Sequence, residues 1–185
     1  MRQIYFTADT HFGHKNIIKY SNRPFTSVQE MDQQMIDRWN RKVSADDTVY
    51  HLGDVGLSPP GKLREILDQL NGKICLIRGN HETSAEACHD RFEWIKDYHE
   101  LEVEDPDAHR GTRFVVLFHY AMRVWNASHH GTWSLYGHTH GELEDLSDFL
   151  SLDVGVDCHD FTPLSYEEVK ALMGKKTWQS PIQSR

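Results

Sequence analysis

Five short apolar runs constrain the fold of this chain more than any other feature of its sequence. They occupy residues 4–8, 48–52, 74–77, 114–118 and 133–136. Continuous apolar runs of this length are typical of strands that are buried on both faces, as in parallel sheets. Helical patterns separate the first three runs, so the sequence predicts an α/β layered fold.

The helical patterns begin and end at recognisable residues. Ser27 with Glu30 predicts a capping box before one amphipathic helix, and a second apolar stripe over residues 63–70 ends at Asn71-Gly72. Thr83 with Glu86 predicts the start of a third helix. Ser165 with Glu168 predicts the start of a last helix, which ends at Gly174. Residues 152–156 predict one further strand.

Length and charge limit the function classes. The 185 residues fit one domain with a full-sized core, which we assign to residues 1–174, followed by a polar C-terminal tail at residues 175–185. The net charge of −8 disfavours extended nucleic-acid binding. We expect no membrane association, because the longest apolar run is far shorter than a membrane helix requires, and we expect a cytoplasmic location. The sequence does not indicate an oligomeric state.

Each of the five apolar runs is followed by residues that can bind a metal. They are Asp9-Thr10-His11, Gly53-Asp54, Gly79-Asn80-His81-Glu82, His119 and Gly137-His138-Thr139-His140. Ligands of open α/β sheets bind at the carboxyl ends of the strands, so we expect these residues to converge. A single histidine at a strand end is more often packed or solvated than metal-bound. Five such ends in succession are hard to obtain by chance.

Spacing and number make the metal interpretation more specific. In extended backbone, residues i and i+2 point to the same side, which predicts that Asp9 and His11 share one place and that His138 and His140 share another. Seven candidate ligands are too many for one tetrahedral ion and match a two-metal hydrolytic site. Mixed carboxylate and imidazole ligands suit manganese, iron, zinc or nickel. The ligands are Asp9, His11, Asp54, Asn80, His119, His138 and His140.

The ordered motifs DTH, GD, GNHE, the isolated His119 and GHTH resemble the signature of the calcineurin-like metallophosphoesterase superfamily. The stretches TADTHFGHKNII, RPF and HYAMRVWNASHHGTWSLYGHTHG are similar to small stand-alone bacterial and phage phosphoesterases of that superfamily. The resemblance implies an α/β fold of the metallophosphoesterase type. This is a four-layer α/β/β/α sandwich with two sheets flanked by helices and the metals at one edge.

The resemblance also implies roles for individual residues. Asp9, His11, Asp54 and His140 would hold the first of two divalent ions. Asp54, Asn80, His119 and His138 would hold the second, with Asp54 bridging. A metal-bridging hydroxide would attack a small phosphomonoester or phosphodiester. His81 would be the general acid, and Asn80 would also lie near the phosphate. Manganese is favoured over iron, zinc and nickel.

Two further residues are predicted to contact substrate. His14 lies three residues after a ligand and is placed near the substrate phosphate, with a surface or helix-start histidine as the alternative. Arg123 belongs to the loop at residues 121–132, which either covers the site or is simply surface. Asp157 and His159 follow a predicted strand and are predicted to orient metal-bound imidazoles.

Departures from the superfamily narrow the substrate. The sequence after Asp54 lacks the additional Asp and Arg of protein serine/threonine phosphatases, which disfavours a phosphoprotein substrate. Neither the capping domain nor the basic surface of a DNA nuclease is visible. Small phosphate esters remain, nucleotides among them. The alternatives are a catalytically silent, protein-binding scaffold with this fold and another dinuclear hydrolase such as an amidase.

Overall fold

The strands of the computed structural model, which describes residues 2–180, form two sheets. The strands are β1 (Ile4–Thr7), β2 (Thr48–His51), β3 (Lys73–Ile77), β4 (Phe92–Lys96), β5 (Tyr98–Glu104), β6 (Thr112–Phe118), β7 (Trp133–Tyr136), β8 (Ser151–Asp153) and β9 (Leu164–Ser165). The α-helices are α1 (Ile17–Tyr20), α2 (Val28–Lys42), α3 (Pro60–Leu67), α4 (Thr83–Glu86) and α5 (Tyr166–Met173).

The first sheet has the order β4-β3-β2-β1-β9, and the second has the order β5-β6-β7-β8. Strands β1 to β4 are parallel, and β9 runs antiparallel to β1. In the second sheet β6, β7 and β8 are parallel, whereas β5 is antiparallel to β6. The five strands predicted from apolar runs are all present. Because they run parallel within each sheet, their carboxyl ends lie at one edge of that sheet.

Burial on both faces explains why these strands read as continuous apolar runs. One core cluster joins the first sheet to the second, through residues such as Phe6, Leu52 and Leu135. The other cluster packs helices α2 and α3 on the opposite face of the first sheet, through residues such as Trp39 and Leu76. The predicted arrangement of two sheets flanked by helices is therefore confirmed.

Helices begin at all three predicted places, and the predicted serine is the N-cap of two of them. Ser165 and Glu168 form a complete capping box at α5. At α2 the Ser27 hydroxyl accepts a hydrogen bond from the Glu30 N–H at 3.2 Å, but the Glu30 carboxylate binds Thr26 instead of Ser27. The predicted third helix, α4, does begin at Thr83. It has four residues and no side-chain cap, and the residue at its N-cap position is the buried Glu82 rather than Thr83.

Several elements differ from the sequence predictions. Strand β8 ends at Asp153, because the backbone turns at residues 154–156 and Gly155 pairs with Ala8. Strands β4, β5 and β9 and helix α1 were not predicted. In the predicted tail, Thr177 donates its N–H to the Ser147 carbonyl at 2.7 Å, and residues 181–185 lie outside the described residues. None of the helices between residues 2 and 180 has the length and apolar character to cross a bilayer.

Candidate metal centre

The loops that follow β1, β2, β3, β6 and β7 meet at one place, where they form two adjoining side-chain clusters. Asp9, His11 and His140 form the first, and Asp54, His119 and His138 form the second. Within each cluster the atoms that can bind a metal lie within 4.8 Å of one another. The predicted convergence of the strand ends is therefore present.

Asp54 lies between the two clusters. One of its carboxylate oxygens is 3.5 Å from His11 Nε2, and the other is 3.7 Å from His119 Nε2. Asn80 joins the second cluster, because its Oδ1 is 3.1 Å from His119 Nε2. All seven predicted ligands are thus brought together, and the central carboxylate has the position that a bridging ligand requires.

Five of these residues have left-handed backbone conformations. Their φ angles are 56° for Asp9, 50° for His11, 57° for Asp54, 68° for His138 and 49° for His140. Such angles are uncommon outside glycine and are concentrated at functional sites, although Asp and His tolerate them better than most residues. The expected extended backbone is therefore wrong for these loops. Asp9 and His11 converge because the chain turns, and His138 and His140 point to different clusters.

Backbone hydrogen bonds and two glycines set the relative position of the loops. The N–H of Asp9 donates to the Gly53 carbonyl at 2.9 Å, and the N–H of His11 donates to the Asp54 carbonyl at 3.0 Å. Gly53, with φ of 98°, has no room for a Cβ because His119 and Gly79 lie against it. A Cβ on Gly79 would overlap the Asp54 side chain. The three loops therefore fit together only without these side chains.

Unsatisfied buried atoms show that the site is suited to a cation. Asp9 Oδ2 accepts a hydrogen bond from the His138 N–H at 2.8 Å, whereas Asp9 Oδ1 is buried and has no hydrogen-bond partner among the described residues. His11 Nε2 is likewise buried without a hydrogen bond. Buried polar atoms are normally paired, so two unpaired atoms from residues of one cluster of electron-pair donors fit a bound divalent ion.

The histidine tautomers support the same interpretation. His119 Nδ1 lies 2.6 Å from the Leu52 carbonyl and must donate to it, which leaves a lone pair on Nε2. That lone pair faces oxygens of Asn80 and Asp54, which also carry lone pairs. His140 Nδ1 is bonded to Asp157 at 2.7 Å, so its Nε2 is also left for a ligand role. A cation bound between these nitrogen and oxygen atoms would accept a lone pair from each of them.

Burial controls the protonation of the site. Burial, followed by the nearby charge of Arg23, lowers the pKa of His11 to about 2, so this imidazole is neutral and able to bind a metal. Burial also lowers the pKa of His119. Burial, then the charges of Asp153 and Asp54, raise the pKa of Asp9 well above its usual value. A divalent cation would favour the ionised form of Asp9.

A buried arginine supports the first cluster. Arg23 is 4% exposed and forms two hydrogen bonds with the Asp157 carboxylate, each 2.8 Å long. It also donates to the carbonyls of Asp9 and Thr10, at 2.7 and 3.0 Å. Asp157 in turn accepts from His140 Nδ1. Arg23 therefore links the DTH loop to the residue that orients His140.

Two buried carboxylates support the other loops. Glu82 accepts hydrogen bonds from the N–H groups of Asp54 and Gly79, and burial raises its pKa to about 7. Asp153 accepts from the Thr139 hydroxyl at 2.5 Å and from the Gly141 N–H at 3.2 Å, and so supports the GHTH loop. The predicted contact of Asp157 with an imidazole of the site is confirmed. His159 instead binds the Asp153 carbonyl.

The predicted catalytic and substrate residues lie in two different cavities. His81 and His14 line the cleft that contains the metal clusters, which has a volume of about 750 Å³. The N–H of His81 donates to Asp54 Oδ1 at 2.9 Å, and His14 Nδ1 is 3.4 Å from His11 Nδ1. Arg123 lines a separate cavity of about 500 Å³ with Trp125 and Trp178, so the structure does not bring it to the metal clusters.

The sequence of this chain is similar to those of several known proteins. The sequence profile of a family described as calcineurin-like phosphoesterase matches residues 2–164. An uncharacterised protein, MJ1445, of Methanocaldococcus jannaschii is 37% identical, over 95% of this chain and 93% of that protein. The Gene 66 protein of Mycobacterium phage D29 is 26% identical, over 94% of this chain and 96% of that protein.

A similar solved structure is that of AQ665 from Aquifex aeolicus, a protein of unknown function. The superposition covers 93% of this chain and 100% of the AQ665 chain, with a TM-score of 0.71 and 23% sequence identity. At that identity the likeness concerns the fold alone.

Proposed function

This chain belongs to the calcineurin-like phosphoesterase family, and from that premise we propose that it is a metal-dependent phosphoric ester hydrolase with a dinuclear centre. Its substrate would be a small phosphomonoester or phosphodiester, with nucleotides among the candidates. The position of Asp54 carries the proposal most directly. This carboxylate lies between two ligand clusters and also holds the backbone of His81 at the mouth of the same cleft.

The proposed ligands follow from the two clusters. Asp9, His11, Asp54 and His140 would hold the first ion. Asp54, Asn80, His119 and His138 would hold the second. A pair of divalent cations lowers the pKa of a water molecule and offsets negative charge on the phosphoryl oxygens. The mixture of imidazole and oxygen ligands suits manganese, iron, zinc or nickel, and we propose manganese.

Asn80 and His81 would act on the substrate itself. Because Asn80 Oδ1 points to His119 Nε2, its amide N–H groups are left to donate to a phosphoryl oxygen. The His81 ring makes no hydrogen bond to another residue of the described chain and is exposed to the cleft. Hydrolysis forms one P–O bond from water and breaks the ester P–O bond. The leaving alcohol oxygen would take the proton that a protonated His81 donates.

Hydrolysis of bis-p-nitrophenyl phosphate and p-nitrophenyl phosphate by the manganese-loaded protein tests the proposal. We expect turnover of at least one of them. His81→Gln should lower kcat by roughly 10²–10⁴-fold, the usual contribution of a general acid, with unchanged manganese content. The matched control is His129→Gln, which alters an exposed histidine of the other cavity and should leave kcat unchanged.

Two outcomes would contradict the proposal. A protein that binds two manganese ions and turns over neither ester would instead be the catalytically silent, protein-binding scaffold. Equal losses of manganese and of turnover in His81→Gln would show that His81 acts as a ligand rather than as the general acid.

A further inference from the structure

The cleft above the metal clusters has an apolar side. Tyr20, Leu57 and Leu143 line it, and their exposed fractions are 69%, 41% and 48%. Single exposed apolar side chains need no explanation, but three that line one cleft are a candidate surface for an apolar part of a ligand. The Tyr20 hydroxyl makes no hydrogen bond to another described residue.

The described residues that line this cleft carry no permanent positive charge. Among the described residues that line it there is neither a lysine nor an arginine, whereas Glu142 contributes a carboxylate. The metal clusters would bind the phosphoryl group that reacts. A second phosphate on the organic part of the substrate would find neither a lysine nor an arginine among these lining residues and would share the cleft with the Glu142 carboxylate. The charge distribution therefore disfavours polyphosphorylated substrates.

A row of aromatic rings connects the apolar side to the proposed general acid. The Tyr20 ring packs edge-on against His14, with ring centroids 6.2 Å apart. The His14 ring lies 5.3 Å from His11, and the His11 ring lies 6.1 Å from His81. Because His81 would protonate the leaving oxygen, the alcohol part of the substrate leaves on the side of His81. Tyr20 lines the same cleft as His81, and the His14 ring separates it from the metal ligand His11, so Tyr20 would contact the alcohol rather than a phosphate bound at the metals.

We propose that Tyr20, Leu57 and Leu143 form a subsite for the leaving alcohol, which selects phosphate esters of alcohols that carry an uncharged aromatic ring and no second phosphate. This inference rests on the proposed function and specifies its substrate class. Contact between two aromatic rings contributes about 0.5–1.5 kcal/mol, so the expected preference is roughly twofold to tenfold. The subsite is open, and a larger preference would need a closed pocket.

An equilibrium measurement tests the subsite without requiring turnover. Calorimetry on the manganese-loaded protein would compare 3-phenylpropyl phosphonate, propyl phosphonate and propane-1,3-diyl bisphosphonate, none of which can be hydrolysed. We expect the phenyl compound to bind roughly twofold to tenfold more tightly than the propyl compound. The bisphosphonate should bind no better than the propyl compound. Equal affinity for the phenyl and propyl compounds, or tighter binding of the bisphosphonate, would overturn the proposal.

Variants assign the preference to named residues. Tyr20→Ala should bring the phenyl-to-propyl affinity ratio close to one, and Tyr20→Phe should keep it. The matched control is Phe114→Ala, which removes another exposed aromatic side chain that lines a different cavity, and it should keep the wild-type ratio. A ratio that Tyr20→Ala leaves at the wild-type value would overturn the assignment.

Turnover of the corresponding phosphate monoesters and methyl diesters then separates the two proposals. The kcat/KM ratio between 3-phenylpropyl and propyl esters should follow the affinity ratio, with the difference in KM. Turnover without any preference would overturn the subsite and leave the proposed hydrolase intact. The phosphonate preference without turnover of any ester would support the subsite and contradict the proposed hydrolase.

Discussion

Arg23→Met replaces a buried cation that lies beside the metal centre with an apolar side chain of similar length. The guanidinium makes four hydrogen bonds to oxygen, two to the Asp157 carboxylate and two to the carbonyls of Asp9 and Thr10, and a fifth to the Met31 sulfur. The Asp157 side chain is 7% exposed, so the substitution leaves a buried carboxylate without its cation. We expect both lower stability and weaker metal binding.

The magnitude follows from the burial of the pair. Breaking a buried ion pair by removing one partner costs about 3–5 kcal/mol of the free energy of unfolding. For a chain of this size each kcal/mol lowers Tm by about 2–4 °C, so the expected decrease is roughly 6–20 °C. Loss of a group that orients a metal-binding histidine typically weakens metal affinity by about 10–100-fold. That loss should fall on the site of Asp9, His11 and His140.

Thermal unfolding and manganese titration of the purified variant measure these two effects. The matched control is Arg38→Met, because Arg38 also pairs with an aspartate, Asp160, but the Asp160 side chain is 88% exposed. Such exposed pairs contribute about 0–1 kcal/mol, and Arg38 lies away from the cleft. The reasoning would be refuted if Arg23→Met had the Tm and the manganese affinity of Arg38→Met.

Three other substitutions test separate parts of the structure. Asp54→Ala removes the carboxylate between the clusters, and elemental analysis should find less than one manganese per chain instead of two; two retained ions would exclude the bridging role. Gly79→Ala introduces a Cβ that overlaps the Asp54 side chain, so ester turnover should fall by roughly tenfold or more. Gly61→Ala is the matched control, because Gly61 has open space around it, and it should have no effect on turnover. For Asp105, burial alone would raise the pKa, but hydrogen bonds from Lys170 and Tyr166 outweigh it and lower that pKa to about 2. Its contribution to stability is therefore present above the unfolded pKa of about 3.9 and is lost as the pH falls toward the folded value. Acid unfolding followed by circular dichroism should be less steep for Asp105→Asn over this range, and an unchanged curve would contradict the assignment.

One physical reason explains why the central strands and the metal ligands could be predicted from the sequence. Strands β1, β2, β3, β6 and β7 are buried on both faces, so their apolar runs are visible without knowledge of their partners. Their carboxyl ends must meet where parallel strands pair, and the residues that follow them have the chemical types that bind metals. Local sequence was sufficient for this part of the site.

Strands at the sheet edges were harder to recognise. Strand β5 reads YHELEVE, and of its seven residues Leu101 and Val103 are buried, so its apolar content is low although the alternation is present. Strand β4 carries charged residues at two of five positions and pairs with β3 along one side. Half-exposed strands of this kind lack the continuous apolar run that identifies buried ones.

The supporting residues of the site could not be predicted from spacing. Arg23 and Asp157 are 134 positions apart, and a single arginine has no periodic pattern that would indicate its partner. The left-handed conformations of Asp9 and Asp54 likewise depend on hydrogen bonds between separate loops. The expectation that Arg123 contacts substrate followed from its position in a loop rich in polar and aromatic residues. The placement of that loop over residues 148–150 and 177–179 is a tertiary property.

Anomalous diffraction from crystals grown with manganese tests the central claim most directly. We predict two anomalous peaks roughly 3.5–4 Å apart, one on each side of the Asp54 carboxylate. Asp9, His11 and His140 should contact the first peak, and Asn80, His119 and His138 the second. A single peak, or peaks that do not touch Asp54, would contradict the dinuclear centre and the hydrolase built on it.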